Sequence, residues 1–156
     1  MNEILFRAQR CDNKEWVEGF LFKMFFRQEV FVIQRFREDK FIGEYEVIED
    51  TIGQYTGLTD KNGKNIFKGN ITKLVLPDGE VRYFEVDIKT VVRTIKCHPD
   101  FDDEYAKVEI TAVVLKWNGY ELFPCVDENG ISDIDKMEVV GNVYDNPEVL
   151  KGDKYV

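Results

Sequence analysis

The chain has 156 residues, of which 44% are apolar and 33% charged, with a formal net charge of −9. That length can bury roughly two-thirds of its unfolded surface, and that composition excludes a disordered chain. No apolar run approaches the roughly 20 residues that span a bilayer, and Met1-Asn2-Glu3-Ile4 lacks a basic signal-peptide start, so the expectation is a cytoplasmic protein with no membrane attachment.

In chain order, Ile4-Leu5-Phe6-Arg7-Ala8 reads as a first strand. A very aromatic hairpin follows, with arms Trp16 to Phe26 and Glu29 to Phe36 and Arg27-Gln28 near its tip. Period two puts Trp16, Phe20, Phe22, Met24 and Phe26 on one face and Leu21 and Phe25 on the other. On the second arm Val30 and Val32 alternate with Phe31 and Ile33. Both faces are thus partly apolar, and such a ribbon must be covered on both sides or be sticky.

Residues 51–69 read as an ordered connection full of turn chemistry, with Asp60-Lys61-Asn62-Gly63 as a turn. Ile71 to Leu76 and Val81 to Ile88 form a second hairpin across Pro77-Asp78-Gly79-Glu80. A third hairpin, Val108 to Trp117 and Tyr120 to Val126, flanks Asn118-Gly119, a two-residue type I′ signature. Its register sets Trp117 opposite Tyr120 and Lys116 opposite Glu121, an aromatic pair and an opposite-charge pair. Pro124 has no amide hydrogen, so that arm lies at an edge or ends early. Helix is scarce. Ser132 to Met137 makes one turn with Ser132 as cap and Asp135 three residues on. Glu138 to Val143 is a strand, and Asn146-Pro147-Glu148 opens a short helical turn stopped by Gly152.

Chemistry-bearing patterns are few. Cys11, Cys97 and Cys125 are odd in number and widely spaced, which argues against a disulfide framework. His98 is the only histidine; beside Cys97 and the acids 100–104 it lacks CxxC or HxxxH spacing, and the two side chains point apart in an extended chain. Neither the 100–104 run nor Asp127-Glu128-Asn129-Gly130 has the order of a calcium loop. Ser132 stands in no nucleophile elbow, and no phosphate-binding glycine motif occurs. We therefore expect no catalytic residue, no cofactor and no metal ligand. Charge is uneven: residues 1–50 carry −3, residues 51–96 carry +3 and residues 97–156 carry −9. The acidic total argues against direct nucleic-acid binding, although Arg82, Lys89, Arg93 and Lys96 interleave with Tyr83 and Phe84.

Three segments resemble the YopX family of phage and prophage proteins. They are Phe6-Arg7-Ala8; the run from Gln54 to Ile71, QYTGLTDKNGKNIFKGNI; and Glu138 to Glu148, EVVGNVYDNPE. The resemblance implies a β-rich fold containing an SH3-like barrel, in proteins of Gram-positive bacteria and their phages. It implies no activity. The sequence departs at Asn70, where the family usually has an acidic residue, and Thr72 to Met137 matches no family motif. Read physically, Ile66, Phe67, Ile71, Val139, Val140 and Val143 are core anchors, and Gly57, Gly63, Gly69 and Gly141 mark positive φ or close backbone approach.

The expectation is an all-β unit over residues 2–150 with a tail at 151–156. An N-terminal β ribbon (4–50) packs on an SH3-like barrel (66–146), with minimal helix. Two interaction surfaces are candidates: Tyr55, Asp60, Tyr144 and Asn146 from the family motifs, and the ribbon with Phe25 and Phe31. The expected function is a non-enzymatic accessory protein that acts through protein–protein contacts with a host or phage protein. A homo-oligomer through the ribbon is expected too. The alternatives are a nucleic-acid-associated module and an acidic mimic of DNA.

Overall fold

The computed structural model describes residues 4–25 and 27–151. Phe26, the expected stop Gly152, the first residues of the unit and the tail beyond Lys151 lie outside the described residues. The fold is all-β, with eleven strands among the described residues: β1 (Phe6–Gln9), β2 (Trp16–Phe25), β3 (Glu29–Arg37), β4 (Lys40–Val47), β5 (Gly53–Thr59), β6 (Asn65–Phe67), β7 (Asn70–Val75), β8 (Val81–Lys96), β9 (Tyr105–Trp117), β10 (Tyr120–Leu122) and β11 (Glu138–Asn142). Short 3-10 turns cover Glu49–Thr51 and Asp133–Lys136, and the helix α1 is Pro147–Lys151.

Two antiparallel sheets form. One runs β4-β3-β2-β1-β5-β6, the other β10-β9-β8-β7-β11. The first sheet curls. The end of β4 returns to the end of β1 through the Arg10–Val47 bridge, with the Cys11 amide donating to the Glu46 carbonyl and the Ile48 amide to the Gln9 carbonyl, each at 2.9 Å. Inside the curl, Ala8, Val17, Ile33 and Val47 form a core flanked by Phe6, Leu21, Phe31, Tyr45 and Ile52. Gly19 permits the close crossing of β2 and β3, since a Cβ there would stand 2.2 Å from the Gln34 carbonyl oxygen. The larger core packs Leu74, Phe84, Val86, Leu115 and Val139 of the second sheet against Ile134 of the second 3-10 turn and Met137 just after it. It also takes Ile66 from β6, so the two sheets share it.

Much of the expected local structure is present. β2 and β3 pair around the predicted tip, and Trp117 faces Tyr120 with Lys116 facing Glu121. Ser132 and Asp135 form a reciprocal capping box. The expected SH3-like barrel over 66–146 is corrected: no closed barrel is found among the described residues, and the second sheet is open. Its edges are β10, which stops before Pro124, and β11. β6, the first strand of that span, pairs with β5 in the first sheet instead. The expected connection at 51–69 holds two strands. The ladder of β8 and β9 also runs on to Lys96 opposite Tyr105, well past the predicted Ile88 and Val108. No helix among the described residues is long and apolar enough to cross a membrane.

Candidate interaction surface

The family motifs converge on the seam between the two sheets. Asp60 directly follows β5 and is only 5% exposed. Its Oδ1 accepts the amides of Asn62 (2.8 Å) and Lys64 (2.9 Å), and its Oδ2 accepts the amide of Val139 in β11 (2.9 Å). Burial opposes its ionisation, but the Val139, Lys64 and Asn62 amides outweigh that and hold the carboxyl below the usual range. Asp60 is thus a tie between strands rather than part of an open surface. Tyr55 is half-buried, its ring 5.5 Å from that of Phe67.

The C-terminal motif forms a clasp on the first sheet. The Tyr144 hydroxyl donates to the Asp50 carbonyl at 2.7 Å, and its ring lies 5.8 Å from Trp16. Burial pushes the Tyr144 hydroxyl pKa up, assisted by the nearby carboxylates of Glu85 and Asp50. Asp145 accepts the Trp16 indole N–H at 2.8 Å, the Gln9 amide at 3.3 Å and the Asn142 amide at 3.0 Å. The Asn142 and Trp16 hydrogen bonds hold its carboxyl below the ordinary range. Asn146 Oδ1 accepts the Asn142 amide at 3.3 Å. It also lies against Gly141, where a Cβ would stand 2.3 Å away. Asn70, where a carboxylate was expected, is buried and accepts the Phe67 amide at 2.8 Å. The turn needs an acceptor there, and an amide oxygen supplies one.

The four candidates at the seam are therefore tied into the protein, Tyr55 and Asp60 beside β6 and β11, Tyr144 and Asn146 in the clasp. Sequence reasoning singled out Tyr144 and Asn146 but passed over Asp145, which makes most of the contact. Its partners Trp16 and Gln9 are 129 and 136 positions away, so no local signal marks it.

The ribbon offers a different environment. The odd-numbered residues of β2 (Val17, Gly19, Leu21) turn into the curl, and the even-numbered ones face out. Phe20, Phe22, Phe36 and Phe41 gather on that outer face, each between 45% and 59% exposed. Phe36 packs edge-on against both Phe20 (5.7 Å) and Phe41 (5.8 Å). Phe25 is 75% exposed near the β2–β3 tip, whereas Phe31 is half-buried against the inner core. The two named ribbon candidates thus differ: Phe25 is open, and Phe31 is largely structural. Phe20, Phe22 and Phe36 were visible in sequence as an aromatic cluster. Phe41 was not, because β4 was not recognised.

Elsewhere three cations of the middle hairpin are engaged. Arg82 pairs with Glu80 and lies 4.6 Å over the Trp117 ring. Lys89 pairs with Glu121. Arg93 lies over Phe123 and donates to the carbonyls of Val92 and Glu121, both at 3.0 Å. The basic residues of the middle hairpin are therefore spent largely on internal contacts. His98 Nδ1 stands 3.2 Å from Asp100 Oδ2 on an open loop.

A crystal structure of protein EF1440 from Enterococcus faecalis is similar over 96% of this chain and 99% of that chain, at 22% identity and a TM-score of 0.50. At that identity the likeness concerns the fold alone. No curated protein matches the chain. The family model described as YopX protein matches residues 5–151, nearly the whole length, and the chain belongs to the YopX family.

Proposed function

We propose that this is a non-enzymatic accessory protein of a phage or prophage, acting in the host cytoplasm through protein–protein contact at the outer face of the ribbon. The carrying observation is the cluster of Phe20, Phe36 and Phe41, half-open rings in edge-on contact, with the half-open Phe22 on the same outer face. Contiguous apolar surface of this kind marks interaction sites on soluble proteins, and aromatic residues dominate the energetics of such contacts. The rest of the surface supports the same reading, because the family motifs are absorbed in structural ties and the middle cations in internal pairs.

The test is affinity capture with wild type and with Phe20→Asp/Phe36→Asp, both checked for an unchanged β spectrum and melting point. A protein, or a second copy of the chain, held by wild type and lost by the variant supports the reading. Equal retention by both would place the contact elsewhere.

A further inference from the structure

We infer that the two faces of the β3–β4 end are complementary to each other, so that copies of this chain dock head to tail. This rests on reading the ribbon as a protein-contact surface and names its occupant, a second copy. At this end Phe36 pairs with Phe41 on the outer face, and Arg37 pairs with Lys40 on the opposite one. Arg35, two residues before Arg37, shares the cationic face. All three cations are exposed, and none has a carboxylate within 4.0 Å among the described residues. Glu38 and Asp39 lie in the turn, beyond the last paired residues.

The outer face carries acids with its rings. By register, Glu46 sits opposite Val32 and Glu44 opposite Gln34, on the side of Phe20, Phe22 and Phe36. Both glutamates are exposed, and among the described residues Glu44 is held by the Gln34 side-chain amide at 3.1 Å. One side of the ribbon end is thus aromatic and anionic, and the other cationic. Guanidinium groups suit such a face twice, over the rings as cation–π partners and against the glutamates as ion pairs. A symmetric contact between two outer faces would instead bring four carboxylates into one apolar patch, where the cation that lines the same hollow as Glu44 and Glu46, Arg10, is already paired with Asp12, and burying charge without a free partner is costly. Stacking of unlike faces leaves one of each open at the ends, so the assembly grows into a ring or a filament rather than stopping at two.

Sedimentation velocity on the full chain tests this with two variants, each retaining one face. Phe20→Asp/Phe36→Asp removes the outer face, and Arg35→Glu/Arg37→Glu removes the cationic one. Wild type is expected as a species larger than a dimer, each variant alone as a monomer, and their equimolar mixture as a discrete dimer. Wild-type mass in the arginine variant alone would mean a symmetric aromatic contact and overturn the inference, as would a mixture that stays monomeric. Should the phenylalanine pair fail to fold, Phe41→Asp, at an open ring outside the core, takes its place. A strictly monomeric wild type overturns head-to-tail assembly. Whether that wild type still captures another protein, and the outer-face variant does not, decides separately whether the contact reading survives.

Discussion

Replacing Asp60 by alanine removes the acceptor of three backbone amides in one step. Two of them, Asn62 and Lys64, lie in an exposed turn and regain water. The third, on Val139, is buried in a strand that is only 9% exposed at that residue. A hydrogen bond to a charged group contributes about 1.5–3 kcal/mol, and an orphaned buried donor costs about 1–3 kcal/mol. With the turn amides resolvated, the loss should be about 2–4 kcal/mol. Asp60→Asn keeps one acceptor for the turn but points an N–H at either the turn or Val139, so it should lose about half as much. Urea midpoints at pH 7, with unchanged m-values, measure both. The sign with pH follows from the depressed carboxyl. Its contribution is fully present above the unfolded aspartate value, about 3.9, and disappears as the pH falls through the folded value. The gap between wild type and Asp60→Ala should therefore narrow in acid. If Asp60→Ala unfolds within about 0.5 kcal/mol of wild type, an ordinary surface effect, the strand tie is not what holds β11.

Phe67, 1% exposed, should cost about 3–5 kcal/mol as Phe67→Ala in the same titration. Tyr144→Phe deletes the hydrogen bond to Asp50 and keeps the ring on Trp16, so a loss of about 0.5–1.5 kcal/mol is expected. Asp145 is also depressed, so the clasp's contribution should be fully present above the unfolded aspartate value, about 3.9, and be lost as the pH falls through the lower folded value. Trp16 emission in a Trp117→Phe background would report that loss, and an emission unchanged by acid would contradict it.

Short-range features were legible because a few adjacent residues decide them. Asn118 (φ +47°) and Gly119 (φ +83°) both take the left-handed conformation that a type I′ turn requires, and that alone fixes the register of Trp117 and Tyr120. The Ser132–Asp135 box is equally local. β4 and β5 were not legible. β4 interleaves Gly43, Glu44 and Glu46 with its apolar residues, and only Val47 is fully buried. β5 is rich in Gly, Thr and Gln, and it is a strand because β1 and β6 lend it backbone partners. Barrel closure failed as an expectation for a related reason: which strand β6 pairs with is decided by packing, not by its three residues. At the surface candidates, sequence located the aromatic cluster but did not show which of its faces is outward. Asp60 looked like a turn residue on the surface because the amide that buries it belongs to Val139.

The clasp also bears on how the chain is made. Trp16 leaves the ribosome well before the carboxylate that receives its indole N–H, which follows 129 positions later. Val139, which satisfies Asp60, is 79 positions behind it. Throughout most of synthesis the first sheet thus stands without the groups that fasten it, with its phenylalanines already displayed. Final docking of the two sheets waits until Val139 and Asp145 have been translated, and contacts so distant in sequence form slowly. A nascent chain stalled before Asp145 would hold the first sheet without the fastening of Trp16 and Gln9.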